Sequence, residues 1–211
     1  FGDEISAVSF DKELPENNIV TIQPDSLRIL HNPLTGWVLY ASMGVDAADF
    51  WAQYDHMYIP ELGHNVSVTD YAHTLYIRAS WTDFNPQEDV YGWKIDSNLR
   101  AYIEGAYQRN MRLAFRVVVD SRDKRTEFTP QFVKDAGAKG FMNKGKWSPY
   151  SDDPVFQKYY TKFVKALAKD FNDPSKVEFI DGFGLGKWGE YHTMIYSTGD
   201  DTPKKAVFDW V

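Results

Sequence analysis

The stretch Arg112 to Val119, RLAFRVVV, is a nearly continuous apolar run broken inside only by Arg116. A strand with one wet face alternates apolar and polar residues, because successive side chains point to opposite sides. A run without alternation predicts a parallel strand covered on both faces. Such a strand needs a long crossover to its neighbours, normally a helix.

Helical and extended patterns flank it on both sides. Upstream, Asp96 to Arg109 predicts a helix: Asp96 or Ser97 can cap it, and Leu99, Ile103 and Ala106 share a face. Before that helix, TLYIRA (Thr74 to Ala79) predicts a second strand, Val45 to Tyr54 a helix, and GWVLY (Gly36 to Tyr40) a first strand. Downstream, Asp153 and Pro154 open the clearest helix of the chain. Val155, Phe156, Tyr159, Tyr160, Phe163, Val164, Leu167 and Phe171 form its stripe, with Lys158, Lys162, Lys165 and Lys169 opposite. Pro174 separates it from a fourth strand at Val177, and Pro203 begins a last helix.

Four strand-helix alternations predict an α/β fold of parallel units joined by right-handed crossovers. A (β/α)8 barrel takes eight such units and about 250 residues. The 211-residue chain is therefore expected to supply about four of the eight units of a TIM-type barrel, over residues 32–211. Residues 1–31 read as a polar lead-in, with a short strand at Asn18 to Ile22. The chain is expected to be the N-terminal part of a longer protein. An open α/β sheet complete in itself, or a half barrel closed by self-association, are the alternatives.

Composition narrows the function. A formal charge of −7 gives no electrostatic reason to bind nucleic acid or anionic lipid. No apolar run approaches the roughly 18 residues of a membrane span. With no cysteine there is no disulfide and no thiolate chemistry. The five histidines are scattered without metal-ligand spacing, and no nucleophile elbow or phosphate-loop motif occurs, so neither metal nor cofactor is expected. Aromatic residues make up 16% of the chain, with seven Trp. They read either as core or as stacking platforms for the apolar faces of sugars.

Candidate chemistry gathers at the carboxyl ends of the predicted strands. Arg78 and Arg116 follow matching apolar triplets, LYI and LAF, and a guanidinium so placed needs a carboxylate, either in a site or in a structural pair with Asp120 or Asp181. Asp181, inside the fourth strand, is the expected partner of Arg116. The segment Val177 to His192, VEFIDGFGLGKWGEYH, runs from that strand through glycines to Trp188, Glu190 and His192. A glutamate against a tryptophan face loses hydration and can hold a proton for a leaving group; the competing reading is a solvated loop residue. Trp81 and Asp83 after the second strand and Asp120 after the third fall at the same rim. Together with Arg116, Trp188 and His192 they are the candidate substrate-binding residues, with core packing the other reading for Trp81 and Trp188.

NPQEDVYGWKID (Asn85 to Asp96) resembles the segment after the second strand in many barrel glycoside hydrolases, a pattern of Trp, then P-x-x-G-x-Y-x-W/F, then Asp. Trp81, Pro86, Tyr91, Trp93 and Asp96 match it, and Asp89 stands where glycine is usual. Asn32-Pro33 with Gly36-Trp37 resembles the NPxxGW opening of bacterial β-galactosidase-like barrel proteins. The likeness spans about His31 to His192. It implies a retaining glycoside hydrolase acting on oligo- or polysaccharides, with Glu190 as general acid/base and Arg78 orienting the nucleophile. That nucleophile would end strand seven, beyond Val211, so the C-terminal half of the barrel would be required and these 211 residues alone would be inactive. Gly189 replaces the usual Asn before the acid/base. A glycan role implies export to the periplasm, the cell surface or beyond. A barrel that binds carbohydrate without chemistry is the alternative function.

Overall fold

In the computed structural model the run at Arg112 is the third of four parallel strands, paired along its whole length with one neighbour and over Leu113–Phe115 with the other. Residues 36–122, 126–181 and 184–211 are described, and all belong to one compact unit, His31–Val211. The lead-in and its expected strand at 18–22 lie outside the described residues.

The elements run β1 (Trp37–Ser42), α1 (Ala47–Asp55), β2 (Met57–Ile59), β3 (His64–Val66), a 3-10 turn, β4 (Ala72–Ser80), α2 (Trp81–Phe84), α3 (Gly92–Ile95), α4 (Ser97–Gln108) and β5 (Arg112–Val118). They continue with α5 (Gln131–Asp135), β6 (Gly140–Asn143), β7 (Lys146–Pro149), α6 (Pro154–Phe171), β8 (Val177–Ile180) and α7 (Lys204–Trp210). The four expected main strands, the helices around them and the parallel sense are all present. The sheet is open, with β1 and β8 at its edges.

Strand order decides which face is covered. The sheet runs β1-β4-β5-β8, each strand added in chain order beside the last. Crossovers of one hand then carry the intervening helices to the same face. The burial pattern agrees. Leu39, Ala41, Leu75, Ile77, Ala79, Leu113, Phe115 and Val117 are buried in the core with Phe163 and Phe171 of α6, and the Phe115 and Phe171 rings lie 4.8 Å apart. On the opposite face Tyr40, Tyr76, Ala114 and Phe179 are in register across the four strands. Tyr40 stands 5.7 Å from Tyr76, and Tyr76 reaches over the small Ala114 to Phe179 at 6.0 Å. Tyr40 and Phe179 remain exposed.

Local chemistry sets the helix starts. Asp153 accepts a hydrogen bond from the Phe156 amide and Pro154 occupies the first turn of α6; Asp96 likewise caps α4 through the Leu99 amide. The α6 stripe is narrower than its pattern suggests: Phe156, Tyr160, Phe163, Leu167 and Phe171 are buried, whereas Val164 is exposed. Each buried side chain of that size contributes about 1.5–3 kcal/mol.

Two antiparallel hairpins, β2–β3 and β6–β7, interrupt the simple alternation. The second turns through Lys144 and Gly145, at φ of 49° and 76°, the pair of positive values that a tight two-residue hairpin demands. Asn143-Lys144-Gly145 is the sequence signal for it, short enough to be masked by the helical and strand patterns around it.

Helix α4 lies against α1 at Gly105. A β-carbon there would stand 2.1 Å from Trp51 Nε1, whose indole N–H donates to the Ala101 carbonyl at 3.2 Å. Alanine in an exposed helix is favoured over glycine by about 1 kcal/mol, but overpacking costs about 1–3 kcal/mol. Gly105→Ala is therefore expected to destabilise the protein in urea melts; a stabilised variant would contradict this helix contact.

Candidate functional site

The carboxyl ends of β4, β5 and β8 converge on one ion-pair network. Arg78 and Arg116 are register partners on β4 and β5, so two like charges stand side by side and each needs its own acceptor. Arg116 Nε donates to Asp181 Oδ2 at 2.5 Å, and its terminal nitrogen donates to Glu190 Oε1 at 3.0 Å. Tyr76 O–H donates to the same Asp181 oxygen at 2.7 Å. The Arg116–Asp181 pair expected from sequence is thus present, and the same guanidinium also holds Glu190.

Burial opposes the Arg116 charge, but its hydrogen bond to Asp181, the Asp181 charge and the bond to Glu190 outweigh that and hold it more firmly protonated than a free arginine. Burial of the Tyr76 phenol, reinforced by its hydrogen bond to Asp181 and that carboxylate's charge, drives its pKa far above the ordinary tyrosine range. Tyr76 accordingly acts as a neutral donor that fixes Asp181.

Glu190 is carried by a compact loop. The Lys187 amide donates to the His192 carbonyl and the Glu190 amide to the Lys187 carbonyl, at 3.1 and 3.2 Å. Trp188, Tyr191 and Thr193 all take positive φ, between 48° and 61°. Non-glycine residues adopt that conformation at a cost, and it recurs where a loop must present particular side chains. Gly184, at φ 60°, has no such freedom to change: a β-carbon there would sit 2.2 Å from the Val117 carbonyl oxygen.

Glu190 is not shielded by the tryptophan before it. Its side chain is 41% exposed, with His192 Nε2 at 3.8 Å from Oε2. The Trp188 ring instead meets the His192 ring at 5.5 Å and the Lys187 ammonium at 4.4 Å. The desolvation expected from a Glu190–Trp188 contact is replaced by an arginine contact.

A cavity of about 290 Å³ opens beside this network, with Tyr40, Arg78, Asp83, Asp120, Lys187 and Trp188 in its walls. Glu190 and Arg116 do not line it. Arg78 donates to the Trp188 carbonyl at 2.8 Å and meets no carboxylate among the described residues. Asp120 is held by Arg122 at 2.6 Å and does not reach Arg78 or Arg116. Arg122 also donates to the Thr193 carbonyl at 2.7 Å, tying the loop after β5 to the Glu190 loop.

Two candidate binding residues have other work. Trp81 is fully buried among Phe132, Phe156, Tyr160 and Phe163, its N–H donating to Asn85 at 3.3 Å. It therefore packs the core and offers no face for stacking, a correction to its assignment at the rim. The rim begins one residue earlier, because Ser80 caps α2 and turns the chain inward there. Asp83 Oδ2 accepts from the Ser80 amide at 3.0 Å and hydroxyl at 2.6 Å, a reciprocal capping box for which Ser-x-x-Asp was the signal. Trp188 and His192 are exposed beside Glu190. The main element that sequence reasoning missed is Tyr76, whose role depends on strand pairing.

Among the described residues no group of three or more metal-ligating side chains converges, and no helix is long and apolar enough to cross a membrane. No protein-family model matches the chain, and no curated protein matches it significantly.

The Tyr76 shift fixes a sign for alkaline stability. Its folded pKa is raised above the unfolded value of about 10, as is that of Tyr191, which burial and the neighbouring Tyr196 push up to about 12. The associated stability is complete below about pH 10 and is lost as pH rises from there. Tyr76→Phe should lower stability at neutral pH by about 0.5–1.5 kcal/mol yet flatten the decline above pH 10. Urea melts across that interval test both, and an unchanged alkaline slope would contradict the buried Tyr76–Asp181 bond.

Proposed function

We propose that the chain is the N-terminal half of a (β/α)8 barrel and that it contributes the general acid/base, Glu190, of a retaining glycoside hydrolase. The observation that carries this reading is the position of Glu190, just beyond the fourth parallel strand, held over the carboxyl rim by Arg116 and backed by Asp181 and Tyr76. Barrel active sites lie at that rim.

Three further observations support it. Chain-order strands with helices on one face are half of a barrel's geometry, and the opposite face carries the aromatic layer Tyr40, Tyr76 and Phe179 that a barrel interior would cover. Asp89, which stands where the glycosidase pattern has glycine, adopts φ 61°, a left-handed conformation that glycine takes at the least cost. Asn85 fastens this turn by donating to the Gln87 and Val90 carbonyls at 2.6 and 2.8 Å.

In the proposed mechanism Glu190 protonates the glycosidic oxygen while a second carboxylate, from the remaining half of the barrel and about 5 Å from Glu190, attacks the anomeric carbon. Glu190 then takes the proton of the incoming water, and the sugar leaves with its configuration retained. Arg116, bonded to both Asp181 and Glu190, keeps the acid/base at the rim between these steps.

The exposure of Glu190 and the glycine before it favour a second reading, a carbohydrate-binding barrel without chemistry. Hydrolysis of aryl glycosides and oligosaccharides by the intact protein separates the two. Glu190→Gln is expected to lower turnover about 10²–10⁴-fold; undiminished turnover in that variant removes Glu190 from the mechanism, and glycan binding without any turnover selects the second reading.

A further inference from the structure

We infer that the cavity beside Glu190 is a subsite for a negatively charged sugar, one bearing a carboxylate or a sulfate ester. The inference rests on the rim being a glycan site and assigns its substrate class.

The charges around the cavity lead to it. Among the described residues three cations, Arg78, Arg122 and Lys187, line it against two acids, Asp83 and Asp120. Both acids are committed within the protein: Asp83 to Ser80 in the capping box, and Asp120 to Arg122 at 2.6 Å. Among the described residues Arg78 makes one side-chain hydrogen bond, to the neutral Trp188 carbonyl, and meets no carboxylate. The walls thus hold one guanidinium, Arg78, that no described carboxylate neutralises, in a protein whose formal charge is −7. A half-buried guanidinium without a carboxylate is costly, and an anionic ligand group arriving in bidentate geometry offsets that cost.

The other demand on Arg78 would be to orient a catalytic nucleophile. The cavity geometry favours the ligand, because Arg78 shares its walls with Arg122 and Lys187 whereas Glu190, the reacting group, is outside them. Tyr40 and Trp188 supply aromatic surface in the same walls. A sugar ring can lie against these while its anionic substituent meets Arg78, one unit away from the bond that Glu190 would cleave.

Calorimetric titration of the intact protein with three probes differing only at C6, an aryl glucoside, the matching glucuronide and the matching 6-sulfate, tests the inference. At least one anionic probe is expected to bind about ten-fold or more tightly than the neutral one, with the margin shrinking as salt rises from about 50 to 500 mM. Preference for the glucuronide identifies a uronate site, and preference for the 6-sulfate a sulfated-sugar site. Arg78→Gln should remove most of the margin and Arg78→Lys restore part of it, with circular dichroism confirming the fold; the salt series on the unaltered protein stands without either variant. Equal affinity for all three probes overturns the inference. So does an unchanged margin in Arg78→Gln, including the case where that variant slows turnover of neutral and anionic substrates alike, which would give Arg78 to the nucleophile. Acid preference without hydrolysis leaves the subsite standing and removes the hydrolase; hydrolysis without acid preference does the reverse.

Discussion

Parallel strands laid down in chain order, each crossing to the next by the same hand, leave a sheet no choice about its helices. They accumulate on one face, where the apolar residues of β4 and β5 are buried together with Leu39 and Ala41 of β1 and Val177 of β8. The other face is then free to hold residues that a core would reject. Tyr76, Arg78 and Arg116 point there from the middle of the sheet, two of them charged, without disturbing the packing behind them.

From that constraint the site follows. Arg78 and Arg116 are forced into adjacent register, and their mutual repulsion is managed by different means. Arg116 is neutralised by Asp181 and Glu190, drawn in from β8 and the loop after it. Arg78 bonds the backbone of that loop. The loop is held by both arginines and by Arg122 from the segment after β5, so its strained conformation at Trp188, Tyr191 and Thr193 is supported from three directions. The cost of positive φ at non-glycine residues is sustained only where surrounding contacts over-determine the backbone.

The same division separates the tryptophans. Trp81 starts a helix immediately after its strand, and the capping box at Ser80 rotates it into the aromatic core beneath α6. Trp188 follows a strand that ends in glycines, and its positive φ turns it outward beside His192. Tryptophans that follow β4 and β8 therefore serve packing in one case and the surface in the other. Backbone geometry makes the difference, since the residue type is the same.

Much of the architecture was legible in the chain itself. The unalternating run at Arg112 to Val119, the Asp153-Pro154 helix start and the Asp96 cap each rest on local physics: burial on both faces, a fixed proline φ, an acceptor for orphan amides. The Arg116–Asp181 pair could be anticipated because both residues fall on predicted neighbouring strands. The two hairpins and the recruitment of Asp120 by Arg122 were not anticipated, and core packing was only one of two readings for Trp81, since each depends on a turn of two or three residues that redirects the chain. Tyr76 looked like any aromatic in an apolar strand until register set it against Asp181. Sequence alone determined the parallel α/β order and the residues available at the strand ends, because periodicity and capping act within a few residues. Tertiary structure decided which of those residues meet, because an ion pair between Arg116 and Glu190, 74 positions apart, exists only once strands β5 and β8 are side by side.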